Sequence, residues 1–379
     1  MSHPYTTAAN DFRSDTFTTP TKEMLDAALH CSIGDAVYNE DLDTICLENK
    51  IADIFGKPAG LFMCSGTMSN QIAIRTLLNV QPPYSILCDY RSHIYTHEAA
   101  GLAILSQAMV TPVIPQNGSY LTVEDIAKWV IPDDGDIHGA PTRVVSLENT
   151  IHGIVTPLNE LRKIKEFCLE HNLKLHCDGA RIWNAAVKNE VDPKVYGSIF
   201  DSISVCLSKS MGAPIGSVLV GGKKFITKAN HFRKQQGGGI RQSGIICRMA
   251  LVAVQPGWEA KLEYSHELAK SLGDFCEKEL QIPLEVPVDT NFVFIDLQQA
   301  KINPDVLVKK GLKYGVKIMG GRVSFHYQIS RDSLEKIKMA IKETWEYSKK
   351  HPFDHKGPTQ IYRSESVDII NTDIQTYKY

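Results

Sequence analysis

Short apolar segments alternate with helical segments over the first 210 residues, and this alternation constrains the fold more than any other feature of the chain. The strand candidates are β-branched or apolar runs at residues 61–64, 85–88, 143–147, 173–177 and 203–207. Segments of helical character, such as residues 68–78 and 158–171, lie between several of them. This order predicts an α/β fold with a mostly parallel sheet.

The pattern changes after about residue 255, which predicts a second, smaller domain. A charged helical stretch at residues 261–278 precedes further strand candidates and a final helix that ends near residue 349. We therefore expect an N-terminal arm and large domain at residues 1–255, a small α+β domain at 256–349 and a polar extension at 350–379. A chain of 379 residues, 43% of them hydrophobic, can bury this much core.

The charge balance argues against two classes of partner. Lys and Arg number 41 and Asp and Glu number 43, so the formal charge of −2 gives no electrostatic reason to expect nucleic acid or an anionic membrane. The first residues, MSHPYTTAANDF, lack the apolar core of a signal peptide, and no later stretch approaches a membrane span. Nine single cysteines without a CxxC pair indicate reduced thiols, so we expect a cytoplasmic location.

Reactive side chains follow the strand candidates closely. They are Ser65, Asp89, Glu148, Asp178 and Lys209. Ligands of parallel α/β sheets bind at the carboxyl ends of the strands, so these side chains are expected near a binding site. Lys209 is the least usual of them, because an apolar strand runs straight into it and the sheet resumes at residues 218–220. Two interpretations are open for this amine: a solvated turn, or a buried group that does chemistry.

The segment FMCSGTMSN, residues 62–70, predicts a strand end followed by a helix that opens at Ser65, Gly66 and Thr67. Backbone N–H groups and the helix dipole at such a turn bind anions, and hydroxyl groups add hydrogen bonds. An ordinary N-cap with a glycine turn is the alternative. Neither a Walker lysine nor a GxGxxG pattern is present, which argues against a nucleotide site.

The segment HCDGARIWNA places Asp178 at the tip of a buried strand and Arg181 three residues later. Burying a carboxylate without a partner is costly. Asp178 is therefore either half of a structural pair with Arg181 or a functional group.

Two further motifs have plain structural interpretations. His93 and His97 are four residues apart and could share a helix face as metal ligands, but no third ligand is spaced to complete such a site. We therefore predict no metal. The glycines of GGGIRQSG, residues 237–244, predict a flexible loop around Arg241.

Pyridoxal phosphate would use three of these features together. The cofactor needs an anion site for its phosphate, a carboxylate that keeps its pyridine nitrogen protonated and a lysine amine that forms a Schiff base. The helix start at Ser65, the buried Asp178 and the amine of Lys209 supply one of each. This combination favours the buried, chemical interpretation of Lys209.

The chain also resembles a known family, the low-specificity L-threonine aldolases, which are fold-type-I pyridoxal-phosphate enzymes related to the β-eliminating lyases. The resemblance extends to about residue 345. It is carried by FRSDTFTTPT, SGTMSNQIA, SHIYTHEAAG, LENT, HCDGARIWNA, SKSMGAPIGS, GGGIRQSG and RVSFH. It implies a fold-type-I large domain, pyridoxal 5'-phosphate as cofactor, and a homotetramer with active sites shared between subunits.

The resemblance implies a role for each matching position around the cofactor. Lys209 would bind the cofactor covalently, Asp178 would contact its ring nitrogen and Arg181 would donate to its ring oxygen. His93 would stack on the ring.

The remaining positions would contact the phosphate and the substrate. The phosphate would lie against Ser65, Gly66 and Thr67. Arg241 would reach the phosphate of a neighbouring subunit. Ser14 and Arg322 would bind the substrate carboxylate, a task that suits the fixed fork of donors on arginine.

The reaction that the resemblance implies is retro-aldol cleavage through an external aldimine. L-Threonine or L-allo-threonine would yield glycine and acetaldehyde after a base removes the β-hydroxyl proton. Candidates for this base are His93, His152 or a water oriented by either histidine. Family members often read LENTH, whereas this chain reads LENTIHG, so His152 lies one residue late. An amino-acid racemase or aminotransferase and a catalytically silent binding protein are alternatives, because one fold hosts them all.

Overall fold

The structure, a computed structural model, describes residues 8–355, and its centre is a seven-stranded sheet. The strands are Ala59–Met63 (β1), Ser85–Asp89 (β2), Met109–Val113 (β3), Thr142–Glu148 (β4), Lys174–Gly179 (β5), Ser202–Cys206 (β6) and Ser217–Gly221 (β7). They lie in the order β1-β7-β6-β5-β4-β2-β3. A separate antiparallel pair joins Phe292–Phe294 (β8) to Arg322–Ser324 (β9).

The large sheet is parallel except at one strand. The neighbours from β6 through β5, β4 and β2 to β3 all pair in parallel. Strand β7 is antiparallel to both of its neighbours, β6 and β1. The prediction of an α/β fold with a mostly parallel sheet is therefore confirmed.

Helices connect and cover these strands. Within residues 8–355 the α-helices are Lys22–Ala28 (α1), Leu42–Ile54 (α2), Gly66–Leu77 (α3), His93–Thr96 (α4), Gly101–Leu105 (α5), Val123–Trp129 (α6), Leu158–Glu170 (α7), Ile182–Lys188 (α8), Lys194–Ile199 (α9), Lys223–Gln235 (α10), Gly244–Ala253 (α11), Trp258–Asp274 (α12), Pro304–Lys313 (α13) and Arg331–Lys350 (α14). Short 3-10 helices occupy Ala8–Asn10, Asp15–Phe17 and Ala36–Tyr38, and a π-helical turn at Phe275–Glu279 extends α12. In this described part no helix is both long and apolar enough to cross a bilayer.

The five strands predicted from apolar runs are all present, each within two residues of its expected bounds. Strand β3 was not predicted. It contains Pro112, which has no N–H to donate to a sheet. It is also the last strand in the order and is half exposed, and an edge position of this kind tolerates proline.

Two apolar cores lie on either side of the chain's change in pattern. The larger core covers one face of the seven-stranded sheet and includes Phe55, Trp183 and Tyr196. Two smaller clusters, which include Ile86 and Leu61, cover the other face. The second core surrounds β8 and β9 and includes Phe12 from the N-terminal segment. Phe12 meets Phe325 edge to face with ring centroids 5.3 Å apart, so residues near both ends of the described chain pack together.

The domain bounds at residues 255 and 349 stay predictions. The last described helix ends at Lys350 and is followed by residues 351–355, whereas residues 356–379 of the expected polar extension lie outside the described part.

Candidate active site

The carboxyl ends of the parallel strands bring the predicted reactive residues to one edge of the sheet. Asp89 ends β2 and Glu148 ends β4. Asp178 on β5 is the direct partner of Glu148 across the ladder. Lys209 lies three residues beyond the end of β6. This edge is where ligands bind in parallel α/β sheets.

Lys209 lies in a short turn between two buried strands. Gly212 and Gly216 have φ angles of +84° and +111°, so the chain reverses there through conformations that glycine adopts without strain. Lys209 is partly buried, and among residues 8–355 its Nζ has no hydrogen-bond or ion-pair partner. The neighbouring Ser210 Oγ donates a hydrogen bond of 2.8 Å to Asp15 Oδ2, which holds this turn against the N-terminal segment.

Asp178 is buried and held by neutral donors. Its Oδ1 accepts from the Ala180 N–H at 3.0 Å, and its Oδ2 accepts from Asn70 Nδ2 at 2.8 Å. The other end of the Asn70 amide, Oδ1, faces His176 Nε2 at 3.2 Å. Burial lowers the pKa of His176 to about 4, so the ring is neutral at pH 7 and donates from Nε2. These donors give Asp178 a fixed orientation.

Arg181 pairs with Asp15, an acid that the sequence analysis did not single out. Arg181 Nε donates to Asp15 Oδ2 at 2.8 Å and Nη2 donates to Oδ1 at 2.6 Å. Both side chains are buried, and Asn291 Nδ2 donates to the same carboxylate at 3.2 Å. Asp15 directly follows Ser14 in the segment FRSDT. This proximity to a predicted site residue was the one feature of the sequence that could have indicated a role for Asp15.

The helix start predicted at Ser65 is present. Ser65 is the N-cap of α3, and its Oγ accepts from the Met68 N–H at 3.1 Å. The first N–H groups of a helix have no partner inside the helix. Gly66 faces open space, since a Cβ at this position would meet no atom within 4 Å. Ser65, Gly66 and Thr67 thus form a turn with donors directed to an open volume.

His93 lies beside Asp178 and is held at two points. Its backbone N–H donates to Glu148 Oε2 at 2.9 Å, and its Nδ1 lies 2.9 Å from Glu98 Oε1. Its ring stacks on that of His97 with centroids 5.7 Å apart, so these two side chains do share a face. Burial and the neighbouring Asp178 raise the pKa of Glu148.

His93, Glu98 and Asp178 have potential ligand atoms within 4.8 Å of one another. The sequence analysis found no third ligand for His93 and His97, but the structure brings two carboxylates beside His93: Glu98, which directly follows His97, and Asp178 on β5. Asn70 Nδ2 bridges these carboxylates, at 3.0 Å from Glu98 Oε1 and 2.8 Å from Asp178 Oδ2. Hydrogen bonds thus account for the grouping.

His152 adopts a left-handed backbone conformation with φ of +47° and stacks on Phe294, with ring centroids 5.1 Å apart. Burial lowers the pKa of His152 to about 3. Nearby positive or titratable groups add to this effect, namely Arg91, Arg322, Arg181 and His97. His152 is therefore neutral at pH 7, whereas the surroundings of His93 favour its charged form.

The two residues expected to bind a substrate carboxylate lie close together. Arg322 begins β9, and its Nη1 donates to the Arg13 carbonyl at 3.3 Å, one residue before Ser14. The guanidinium carbon of Arg322 lies 4.7 Å from the centre of the Phe292 ring, and that of Arg181 lies 4.5 Å from it. Ser14 Oγ caps the Asp15–Phe17 helix by accepting from the Thr16 N–H at 3.3 Å.

Arg241 lies on the surface, outside this group of side chains. Its Nη1 donates to Asp35 at 2.9 Å, and its guanidinium lies 5.9 Å from the ring centre of Tyr38. In the described part of the chain, no hydrogen bond or ion pair joins Arg241 to another predicted site residue.

This fold and site define the class: the chain has the fold-type-I architecture of pyridoxal-phosphate enzymes. The chain belongs to the β-eliminating lyase family, which matches residues 11–300. It is 69% identical to the low-specificity L-threonine aldolase of Eremothecium gossypii, over 99% of this chain and 97% of the relative. Identity to the Saccharomyces cerevisiae low specificity L-threonine aldolase is 68%, over 99% of this chain and 98% of the relative. The threonine aldolase structure of Leishmania major superposes with a TM-score of 0.74 at 19% identity, covering 88% of this chain and 99% of that one.

Proposed function

We propose that this chain is a pyridoxal-phosphate-dependent lyase that cleaves L-threonine and L-allo-threonine to glycine and acetaldehyde. One observation carries the proposal: Lys209, an amine without a hydrogen-bond or ion-pair partner in residues 8–355, lies at the carboxyl edge of the sheet that also holds Asp178. The relatives with 68–69% identity, whose names state low-specificity L-threonine aldolase, support the substrate class.

The residues at this edge fit the cofactor. Ser65, Gly66 and Thr67 would hold its phosphate in the open volume before α3, where no side chain stands in the way. Asp178 would accept from the protonated ring nitrogen, Arg181 would donate to the ring oxygen, and Lys209 would hold the cofactor covalently. When bound, the cofactor supplies an electron-poor ring that stabilises the carbanion left on Cα after the Cα–Cβ bond breaks.

The chain's own side chains would orient the substrate. Arg322 and Ser14 would bind its carboxylate, and the Phe292 ring beneath the guanidinium of Arg322 limits how that side chain moves. The neutral ring of His152 can accept a hydrogen bond from the β-hydroxyl or from a water. Its low pKa makes His152 a poor proton carrier, so its role is to orient the β-hydroxyl or a bound water by accepting a hydrogen bond.

We further propose a homotetramer with active sites shared between subunits. Supporting this, several large apolar side chains are exposed on the segments around Arg241, as at a surface that another subunit covers. They are Leu25, Leu29, Ile33, Tyr38, Leu42, Ile240 and Ile245. Helix α11 packs against both α1 and α2 and brings these segments together. Sedimentation gives the subunit number, and recovery of activity on mixing Lys209→Ala with Arg241→Ala subunits would report a shared site.

We also propose that the protein is located in the reducing environment of the cytoplasm. All nine cysteines lie in the described residues and are free thiols, six of them buried. Proteins of oxidising compartments convert such a content into disulfides.

The deciding experiment is a panel of L- and D-amino acids assayed for aldehyde release, transamination and racemisation. We expect acetaldehyde and glycine from both threonine diastereomers, and no product from Lys209→Ala under the same conditions. Racemisation or transamination without aldehyde release would replace the aldolase with another reaction at Cα. Bound cofactor without any turnover would indicate a binding protein.

A further inference from the structure

We infer that Glu98 is a positioning residue for His93, which fixes the plane of the imidazole and retains a proton on its Nδ1. The inference rests on the proposed function in one respect, because it concerns the side chain assigned to stack on the cofactor ring. The contacts that carry it belong to the chain alone.

Glu98 is a carboxylate inside the protein. It lies between α4 and α5, and its side chain has no solvent exposure. Oε1 accepts from Asn70 Nδ2 at 3.0 Å and Oε2 accepts from Gln71 Nε2 at 2.5 Å, both on α3. Two amides satisfy hydrogen bonds but supply no charge, and a buried carboxylate without a positive partner is costly.

His93 supplies the positive partner. Its Nδ1 lies 2.9 Å from Glu98 Oε1, within hydrogen-bond range. A carboxylate can only accept hydrogen bonds, so the proton of this contact belongs to Nδ1. Because the backbone N–H of His93 is held by Glu148 Oε2, both the main chain and the ring of His93 are fixed by acids from separate segments.

Three acids around His93, Asp178, Glu98 and Glu148, favour its charged form. Burial alone would lower the pKa of His93, but the hydrogen bond to Glu98 and the charges of Asp178, Glu98 and Glu148 outweigh it, and the pKa is raised. A positive charge on the neighbouring His97 would act in the opposite direction and lower the pKa of His93. Burial and the charge of His93 lower the pKa of His97, so the two stacked histidines favour opposite charge states.

The held ring remains open to the site. The His93 side chain keeps 35% of its surface exposed, while its partner Glu98 keeps none. A ring nitrogen of His93 lies within 4.8 Å of the Asp178 carboxylate. Asp178 is the residue that we assign to the pyridine nitrogen of the cofactor. His93 is thus presented as a fixed ring whose surroundings favour its charged form, which suits a stacking role better than the role of base for the β-hydroxyl.

The test measures the charge state of single histidines in the purified full-length protein. The rate of hydrogen–deuterium exchange at the imidazole C2 position, followed by mass spectrometry from pH 5 to pH 9, gives the titration midpoint of each ring. In the wild type, His93 should titrate above the ordinary value of about 6.5 and His97 below it. A His93 midpoint at or below the ordinary value would overturn the inference without any variant.

The variants separate the charge of Glu98 from its packing. Glu98→Gln should lower the His93 midpoint by about one pH unit, since it removes a contacting opposite charge. Gln71→Met is the matched control: it removes the hydrogen bond to Glu98 Oε2 and retains the carboxylate, so the His93 midpoint should not move. An unchanged midpoint in Glu98→Gln, or equal shifts in both variants, would contradict the positioning role.

Turnover gives a second, separable readout. If the aldolase proposal holds, Glu98→Gln should lower kcat by about ten- to a hundredfold through a misplaced ring, with a smaller change in KM. Glu98→Asp retains the charge and should recover part of the loss. Absence of aldolase activity in the wild type, with the histidine titrations as expected, would reject the proposed function and leave the role of Glu98 intact.

Discussion

Asp15 and Arg181 form a buried ion pair with two parallel hydrogen bonds, although they are 166 residues apart in the sequence. The distances are 2.8 Å from Nε to Oδ2 and 2.6 Å from Nη2 to Oδ1. Burial would raise the pKa of Asp15, but Arg181, Lys209 and Ser210 outweigh it and hold the pKa well below the usual range. The pair orients Arg181 and joins the N-terminal segment, which carries Ser14, to the end of the sheet.

Asp15→Asn should destabilise the fold, because it removes the charge of the buried carboxylate that accepts two hydrogen bonds from the Arg181 guanidinium. We expect the free energy of unfolding to fall by about 3–5 kcal/mol, measured by urea denaturation. The control is Asp133→Asn, which removes the exposed partner of Arg143 at 2.6 Å and should have little effect. Equal stability of Asp15→Asn and the wild type would show that the pair is energetically neutral.

Lys209→Ala should fold normally and lose the absorbance of covalently bound cofactor, with activity lower by on the order of 10³-fold or more. Borohydride reduction of the wild type followed by peptide mapping should place the label on Lys209. Lys165→Ala is a suitable control, since Lys165 pairs with Asp201 at the opposite end of β6. A label on any other lysine would reject the assignment.

Asp178→Asn should lower kcat by on the order of 10²–10³-fold while most of the cofactor remains bound. The expected cause is loss of the charge that keeps the cofactor ring nitrogen protonated. Asp89→Asn provides the comparison, because Asp89 also ends a parallel strand but pairs with Arg91 at 2.7 Å. Near-normal turnover of Asp178→Asn with bound cofactor would make Asp178 a structural residue.

His152→Ala should raise KM or alter the preference between threonine and allo-threonine more than it lowers kcat. The reason is that the low pKa of His152 suits a hydrogen-bond acceptor better than a proton carrier. Kinetics with each diastereomer at saturating cofactor would measure both parameters. If kcat were abolished while cofactor and substrate still bound, His152 itself would be the base.

Acid should destabilise the protein through its buried neutral histidines. Burial lowers the pKa of His176 and of His266 to about 4 each. Between about pH 6.5 and pH 4 the unfolded chain binds these protons and the folded chain does not, so stability falls as the pH falls. Urea unfolding at pH 7 and pH 5 measures the difference, and His266→Gln should reduce it. An identical loss in wild type and variant would assign the effect to other groups.

The sequence predicted the parts of the site that depend on local pattern. A segment of about ten residues is enough to recognise a strand and the polar residue at its end. Asp178 and Lys209 could therefore be placed at one sheet edge before their contacts were known. The turn at Ser65 was likewise readable, because helix N-termini have local composition signals.

The parts that depend on distant contacts could not be read in this way. Asp15 contacts Arg181 only because the N-terminal segment folds back over the sheet. The hydrophobic pattern of the sequence does not predict the course of this segment. Glu98 lies in SHIYTHEAAG, five residues from His93, in a segment where the helix α4 ends and the chain turns. Its burial against Asn70 and Gln71 follows from the packing of α3, which the sequence alone does not give.

Strand β1 has a consequence for how the chain is made. Within the described residues its one neighbour in the sheet is β7, with Ala59 opposite Gly221. On the ribosome, β1 therefore emerges early and has no strand to pair with until Gly221 has left the exit tunnel, although β2, β4 and β5 can already assemble. The β1 backbone therefore gains its sheet hydrogen bonds after those strands have paired, although its side chains Leu61 and Met63 can already pack against Ile72 and Ala73 of α3.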